Sequence, residues 1–176
     1  MNFQFYLEKL YDSGDFKEFI DENPDAYPTS CFFEIDLEHL KNPKAPNQDK
    51  QHFDYFVPAV NKLFSFKLEA HGEKVPQDII EGQAFPKLGL NYSFNFEDVQ
   101  ALIQEEMKKQ DIKNEIQKLM FSLQKLDKDN KDYLVGTIFL SGMAMLKVNI
   151  NIEEMKITAF KKQSFMDMIN VFKKKE

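Results

Sequence analysis

Two residues of this 176-residue chain stand at a spacing that could do chemistry: His52 and Asp54. In an extended segment, side chains two positions apart point to the same side, so an imidazole and a carboxylate would share one face. Such a pair can pass a proton near neutral pH, with the carboxylate orienting the ring. The same spacing also suits an ordinary exposed pair on a strand. The other histidines, His39 and His71, lie in polar stretches with no second histidine or cysteine at a ligand spacing, so no metal site is expected. Cys31 is the single cysteine and sits in the apolar run CFFEI, where a buried thiol rather than a nucleophile is expected. It excludes an intramolecular disulfide and fits a reducing compartment.

Residues 119–132, LMFSLQKLDKDNKD, imitate a calcium loop, with Asp127 and Asp129 at its first and third ligand positions. The imitation fails at the fifth position (Lys131), at the obligatory glycine (Asp132) and at the bidentate glutamate (Ile138). A polar turn is the better reading. The glycines are scattered singly, so no phosphate loop exists, and Ser141-Gly142 lacks the flanking pattern of a nucleophile turn. No catalytic, cofactor-binding or metal-binding residue is therefore assigned, and no cofactor is expected. Met143, Met145, Met155, Met166 and Met168 read as core filler, with Met145 adding an adaptable, sticky side chain wherever its face is open.

Composition narrows the classes further. The net charge is −6, and all 23 basic residues are lysine, with no arginine. Phosphate backbones need a basic field, and bidentate recognition needs the arginine fork, so nucleic acid is not an expected partner. No run is long and apolar enough for a membrane-spanning helix, and the start MNFQFYLEKLYD does not read as a signal peptide, so a cytoplasmic location is expected. With 18 phenylalanines, aromatic packing is the expected core chemistry.

The elements that must position these residues begin with an amphipathic helix, in which Phe3, Tyr6, Leu7, Leu10 and Tyr11 fall on one side. Asp15 and Glu18 have the spacing of a capping box for a second short helix carrying Phe16, Phe19 and Ile20. Strands are expected over 29–37, 52–57 and 62–69, with a turn at 58–61 and a polar loop over 39–50. Residues 71–94 read as a connector, tacked down by Ile79, Ile80 and Phe85. Asn95 caps a helix with Phe94 and Val99 at staple spacing and Val99, Leu102, Ile103 and Met107 on its buried stripe.

Residues 112–126 are ambiguous. As more of the same helix, their apolar side chains would face away from the preceding stripe, so a strand from about 117 to 126 is preferred. The stretch 132–160 then organises the fold. YLVGTIFL suits a buried strand, and Leu146, Val148, Ile150 and Ile152 alternate with Lys147, Asn149 and Asn151. A third strand starts at Lys156 and ends at Lys161-Lys162, and Ser164 caps a final helix with Phe165, Met168, Ile169 and Phe172 on one face. The fold class is α+β: an antiparallel sheet with helices packed on one face, in two similar lobes, 1–70 and 95–176, or one continuous domain.

An offset of 94 residues superposes KLFSF (62–66) on KITAF (156–160) and one helix start on the other, which suggests an internal repeat. The C-terminal half also resembles the PepSY-like domains, small α+β units with a helix on an antiparallel sheet. The resemblance rests on the helix at 96–107, the strand at 133–140 and the closing hairpin VNINIEEMKITAF. It departs where Asn149 or Asn151 stands for the family's aspartate and Glu153-Glu154-Met155 for its Thr-Gly turn. The resemblance implies a binding or regulatory module rather than an enzyme.

Three readings of function follow. The first is a non-enzymatic module that binds a protein or peptide, or assembles with itself, with an exposed strand edge to receive an added strand. The second is a carrier for a small apolar ligand held between sheet and helix. The third is an enzyme using His52 and Asp54.

Overall fold

The computed structural model describes residues 2–37, 49–79, 85–126 and 130–164. Helix α1 (Phe3–Asp12) starts at Asn2, whose side chain accepts from the Phe5 N–H. It buries Phe3, Tyr6, Leu7 and Leu10, the expected stripe, and leaves Tyr11 exposed. Helix α2 (Gly14–Glu22) begins one residue before the expected cap. Ser13 holds the N-cap position, and its hydroxyl donates to the His71 carbonyl rather than capping, so Asp15 contributes only charge to the first turn.

The strands are β1 (Tyr27–Asp36), β2 (Lys50–Val57), β3 (Lys62–Lys67) and β4 (Glu73–Gln77), followed by helix α3 (Phe96–Lys109) and β5 (Ile116–Lys125), β6 (Asp132–Leu140), β7 (Ala144–Asn151) and β8 (Lys156–Ser164). They form one antiparallel sheet in the order β4-β3-β2-β1-β5-β6-β7-β8. The α+β class with helices on one face is thus the observed fold. The two halves meet in the middle, where β1 pairs with β5 and Phe33 stands opposite Phe121. Each half runs helix and then four strands outward from that seam.

One parity of every central strand turns towards the helices. Cys31, Phe33 and Ile35 on β1, Phe53, Tyr55 and Val57 on β2, and Leu119, Phe121 and Leu123 on β5 are buried there. Phe3 packs on Phe33 and Phe53, Phe16 and Phe19 on Phe66, and Phe96 on Phe33 and Phe121. One aromatic layer therefore joins both halves, and each fully buried phenylalanine contributes roughly 2–3 kcal/mol. Gly136 on β6 belongs to this layer. A Cβ there would stand 2.7 Å from Val148 Cγ2 and 2.8 Å from Phe121 Cε1, so any side chain at this position would push Val148 and Phe121 aside.

Several expectations need correction. Residues 112–126 are a strand as preferred, but the supposed connector contains β4, an edge strand paired with β3. The offset of 94 matches the wrong strands. KLFSF is the third strand of its half, and KITAF is the fourth of the other. β3 corresponds to β7, because the loop between β1 and β2 is longer than that between β5 and β6. Lys161 and Lys162 do not end β8, which runs on to Ser164; an edge strand accommodates lysines without loss of pairing. Ser164 is the last residue of that strand, and the expected helix after it lies outside the described residues.

Candidate functional site

The three α-helices among the described residues all lie on one side of the sheet. The opposite parity forms a helix-free face. Across its middle stand Ser30, Phe32, Glu34 and Asp36 of β1, His52, Asp54 and Phe56 of β2, Leu63 and Ser65 of β3, and Lys118, Met120 and Ser122 of β5. Most are half-buried.

His52 and Asp54 do share this face, with Nε2 3.7 Å from Oδ2. That separation is an ion-pair distance, too long for a hydrogen bond. Asp54 is instead held by hydroxyls: Ser30 donates to Oδ2 at 2.6 Å, and Ser65 donates to Oδ1. The His52 ring stacks on Phe32, with centroids 5.1 Å apart. The cluster is a carboxylate fixed by two serines from the flanking strands, beside a stacked imidazole. Both oxygens are engaged, so the geometry orients charge on the face and leaves Asp54 little freedom to orient the ring.

Towards the centre, Lys118 Nζ meets Glu34 Oε1 at 2.7 Å across the β1–β5 seam. The hydrogen bond to Glu34 holds the lysine above its ordinary range against a smaller opposing effect of burial.

At the rim where β6 begins, Asp132 is almost fully buried. Tyr92 donates to its Oδ2 at 2.7 Å and the Gly89 N–H at 2.9 Å, while Lys125 Nζ lies 2.9 Å from Oδ1 at an angle too oblique for a hydrogen bond. Burial, then the Asp132 bond, push the Tyr92 hydroxyl up. The carboxylate that stood in the imitation calcium loop thus fastens the 85–95 segment to the sheet. Asp127 and Asp129 lie outside the described residues, and among those described no cluster of three His, Cys, Asp or Glu could hold a metal. The same segment stacks Phe85 on Phe56, as expected of its tacking role; Ile79 is half-buried, and Ile80 lies outside the described residues.

The remaining candidates separate. Cys31 is buried in the core, and burial pushes its thiol well above the ordinary range, which suits a structural role. His71 is exposed in a turn, and His39 lies outside the described residues. Met145 is on the helix-free parity but buried, so it is not the sticky residue expected; Met143, at the β6–β7 turn, is 71% exposed. Met166 and Met168 lie outside the described residues. Ser30 and Ser65 were not singled out in the sequence, because only the register of three strands brings them to Asp54.

An open cleft of about 550 Å³ lies away from this face, at the C-terminal end of α3, with Leu37, Met107, Ile112 and Ile116 as its apolar floor and Gln100, Gln104, Lys108, Asn114 and Glu115 around it. Among the described residues no helix is long and apolar enough to cross a membrane.

No family model matches the chain, and no curated protein matches it in sequence. Among solved structures, it is similar to a candidate lipoprotein of Clostridium difficile 630. The two share 13% identity over 85% of this chain and 90% of the other, with a TM-score of 0.54. At that identity the likeness is one of fold.

Proposed function

We propose that the chain is a non-enzymatic module that binds a protein or peptide through the helix-free face of its sheet. The observation behind this reading is the one-sided packing: α1, α2 and α3 all cover the aromatic parity, while the other parity carries Phe32 and Met120 among fixed polar groups. Apolar side chains framed by oriented charges are the composition of recognition surfaces. The fixed Asp54 and the Lys118–Glu34 pair would set the register of a partner. The PepSY-like resemblance supports the same class of role. Assembly with a second copy is another form of this reading.

The test is capture of cross-linked partners from extracts of the source cell, using wild type, the double variant Phe32→Asp with Met120→Asp, and the α1 surface variant Glu8→Lys. The expected result is a partner set kept by Glu8→Lys and lost by the double variant. Equal capture by all three would contradict the face as the site. A small-molecule carrier is the second reading, favoured by the cleft at the end of α3. The proposed compartment is the cytoplasm, supported by the lone buried thiol; the candidate-lipoprotein description of the neighbour favours a membrane-attached position instead, and cell fractionation separates the two.

A further inference from the structure

The two edges of the sheet differ. β4 is five residues long and contains Pro76, which offers no N–H to a further strand. β8 is nine residues long, without proline or glycine, and among the described residues no strand pairs with its outer side. Its pairing with β7 shifts register at one place, where Asn149 faces Ala159 and Ile150 faces Ile157, and from Ala159 to Ser164 the pairing is unbroken; such an uncovered edge is a template for another chain. Its charge restricts which chain. Lys161 on β8 stands directly opposite Lys147 on β7, both on the helix-free face and both exposed. Like charges directly opposite across a pair of strands repel. Lys156, opposite Asn151, adds a third exposed ammonium on the same side. None of the three has an acidic partner among the described residues, whereas Lys118, Lys125 and Lys131 are all paired. In a chain of net charge −6, this edge is a local cationic strip. It repels a second copy of itself and leaves the repulsion between Lys147 and Lys161 to be relieved by an anion from outside.

We propose that β8, with Lys147 beside it, receives an extended acidic segment of a partner protein as a ninth strand. The main-chain groups of β8 supply hydrogen bonds, and carboxylates on the partner's helix-free side neutralise Lys147 and Lys161 at one end and Lys156 at the other. The register shift in β8 sets Lys161 and Lys156 opposite Lys147 and Asn151, four residues apart on β7, so on a regular partner strand the two carboxylates stand at positions i and i+4, roughly 13 Å apart on one face. This inference rests on the binding-module reading and names the chemistry of the partner.

The experiment uses the full chain and the peptide acetyl-Thr-Glu-Val-Thr-Val-Glu-Thr-amide, whose glutamates, four positions apart, share one face of an extended strand. Its companions are a peptide with both glutamates replaced by lysine and one with alternate amides N-methylated. Affinity is read by calorimetry and location by amide hydrogen exchange. The acidic peptide is expected to bind and to slow exchange in 156–164. The lysine and N-methylated peptides, and the variant Lys147→Gln with Lys161→Gln, are expected to lose about tenfold or more in affinity. No binding of the acidic peptide, equal binding of the N-methylated one, or protection elsewhere would each overturn the proposal. The cross-linking result separates the two claims. Partners lost with Phe32→Asp and Met120→Asp but kept with the lysine variant leave the face reading standing and remove the edge.

Discussion

At the scale of single residues, the helix-free face is organised by pairs whose partners come from neighbouring strands. Lys118 and Glu34 are the clearest. Their side chains are 27% and 13% exposed, so the pair is partly shielded from solvent, and a contribution of about 1 kcal/mol is reasonable. The shift falls on the lysine, raised above its ordinary value of 10.5. A cation stabilised in the folded state contributes fully below that value and loses its contribution as pH rises through the folded one. Lys118→Gln is therefore expected to lower the melting temperature by about 2–4 °C near neutral pH. The gap between variant and wild type should close above about pH 10.5. A gap that persists unchanged into strong alkali would mean that packing, not charge, is lost. His52 and Asp54 were legible as a pair because strand periodicity alone puts them together. Ser30 and Ser65 were not, because their approach to Asp54 depends on the β1–β2–β3 register and on a bulge near Thr29.

At the scale of elements, the sequence was clearest where periodicity is strong and weakest where elements end. Helix α3 stops without glycine. Ile112 N–H bonds to the Met107 carbonyl and Asp111 N–H to that of Lys108, a Schellman closure with Asp111 at φ 50°. An aspartate in the left-handed position hides the stop from sequence reading, which is why 112–126 allowed two interpretations. Asp111→Gly should relieve this and raise the urea midpoint, by about 0.5 kcal/mol of stability, with no change in slope. A fall in the midpoint would show that the Asp111 side chain contributes more than its backbone costs. β4 was missed because a short polar strand with a proline looks like a loop, and β8 was cut short because lysines at an edge look like an ending.

At the scale of the whole molecule, alternation in β1, β2, β5, β6 and β7 was enough to expect a sheet with a core face. It could not show that β1 and β5, from opposite halves, would meet and make one sheet of eight strands. That seam places the described α-helices on one side of a single sheet. Leu119 and Met120 are adjacent on β5 and face opposite ways. Leu119 is fully buried in the aromatic layer, and Met120 is half-buried on the helix-free face. Urea unfolding of Leu119→Asp and Met120→Asp, side by side, tests the sidedness most directly. Leu119→Asp should lose about 3 kcal/mol or more, because an unpaired charge enters the core. Met120→Asp should stay within about 1 kcal/mol of wild type with its fold intact. Equal losses in both variants would mean that the two faces are equally covered, and would contradict the account.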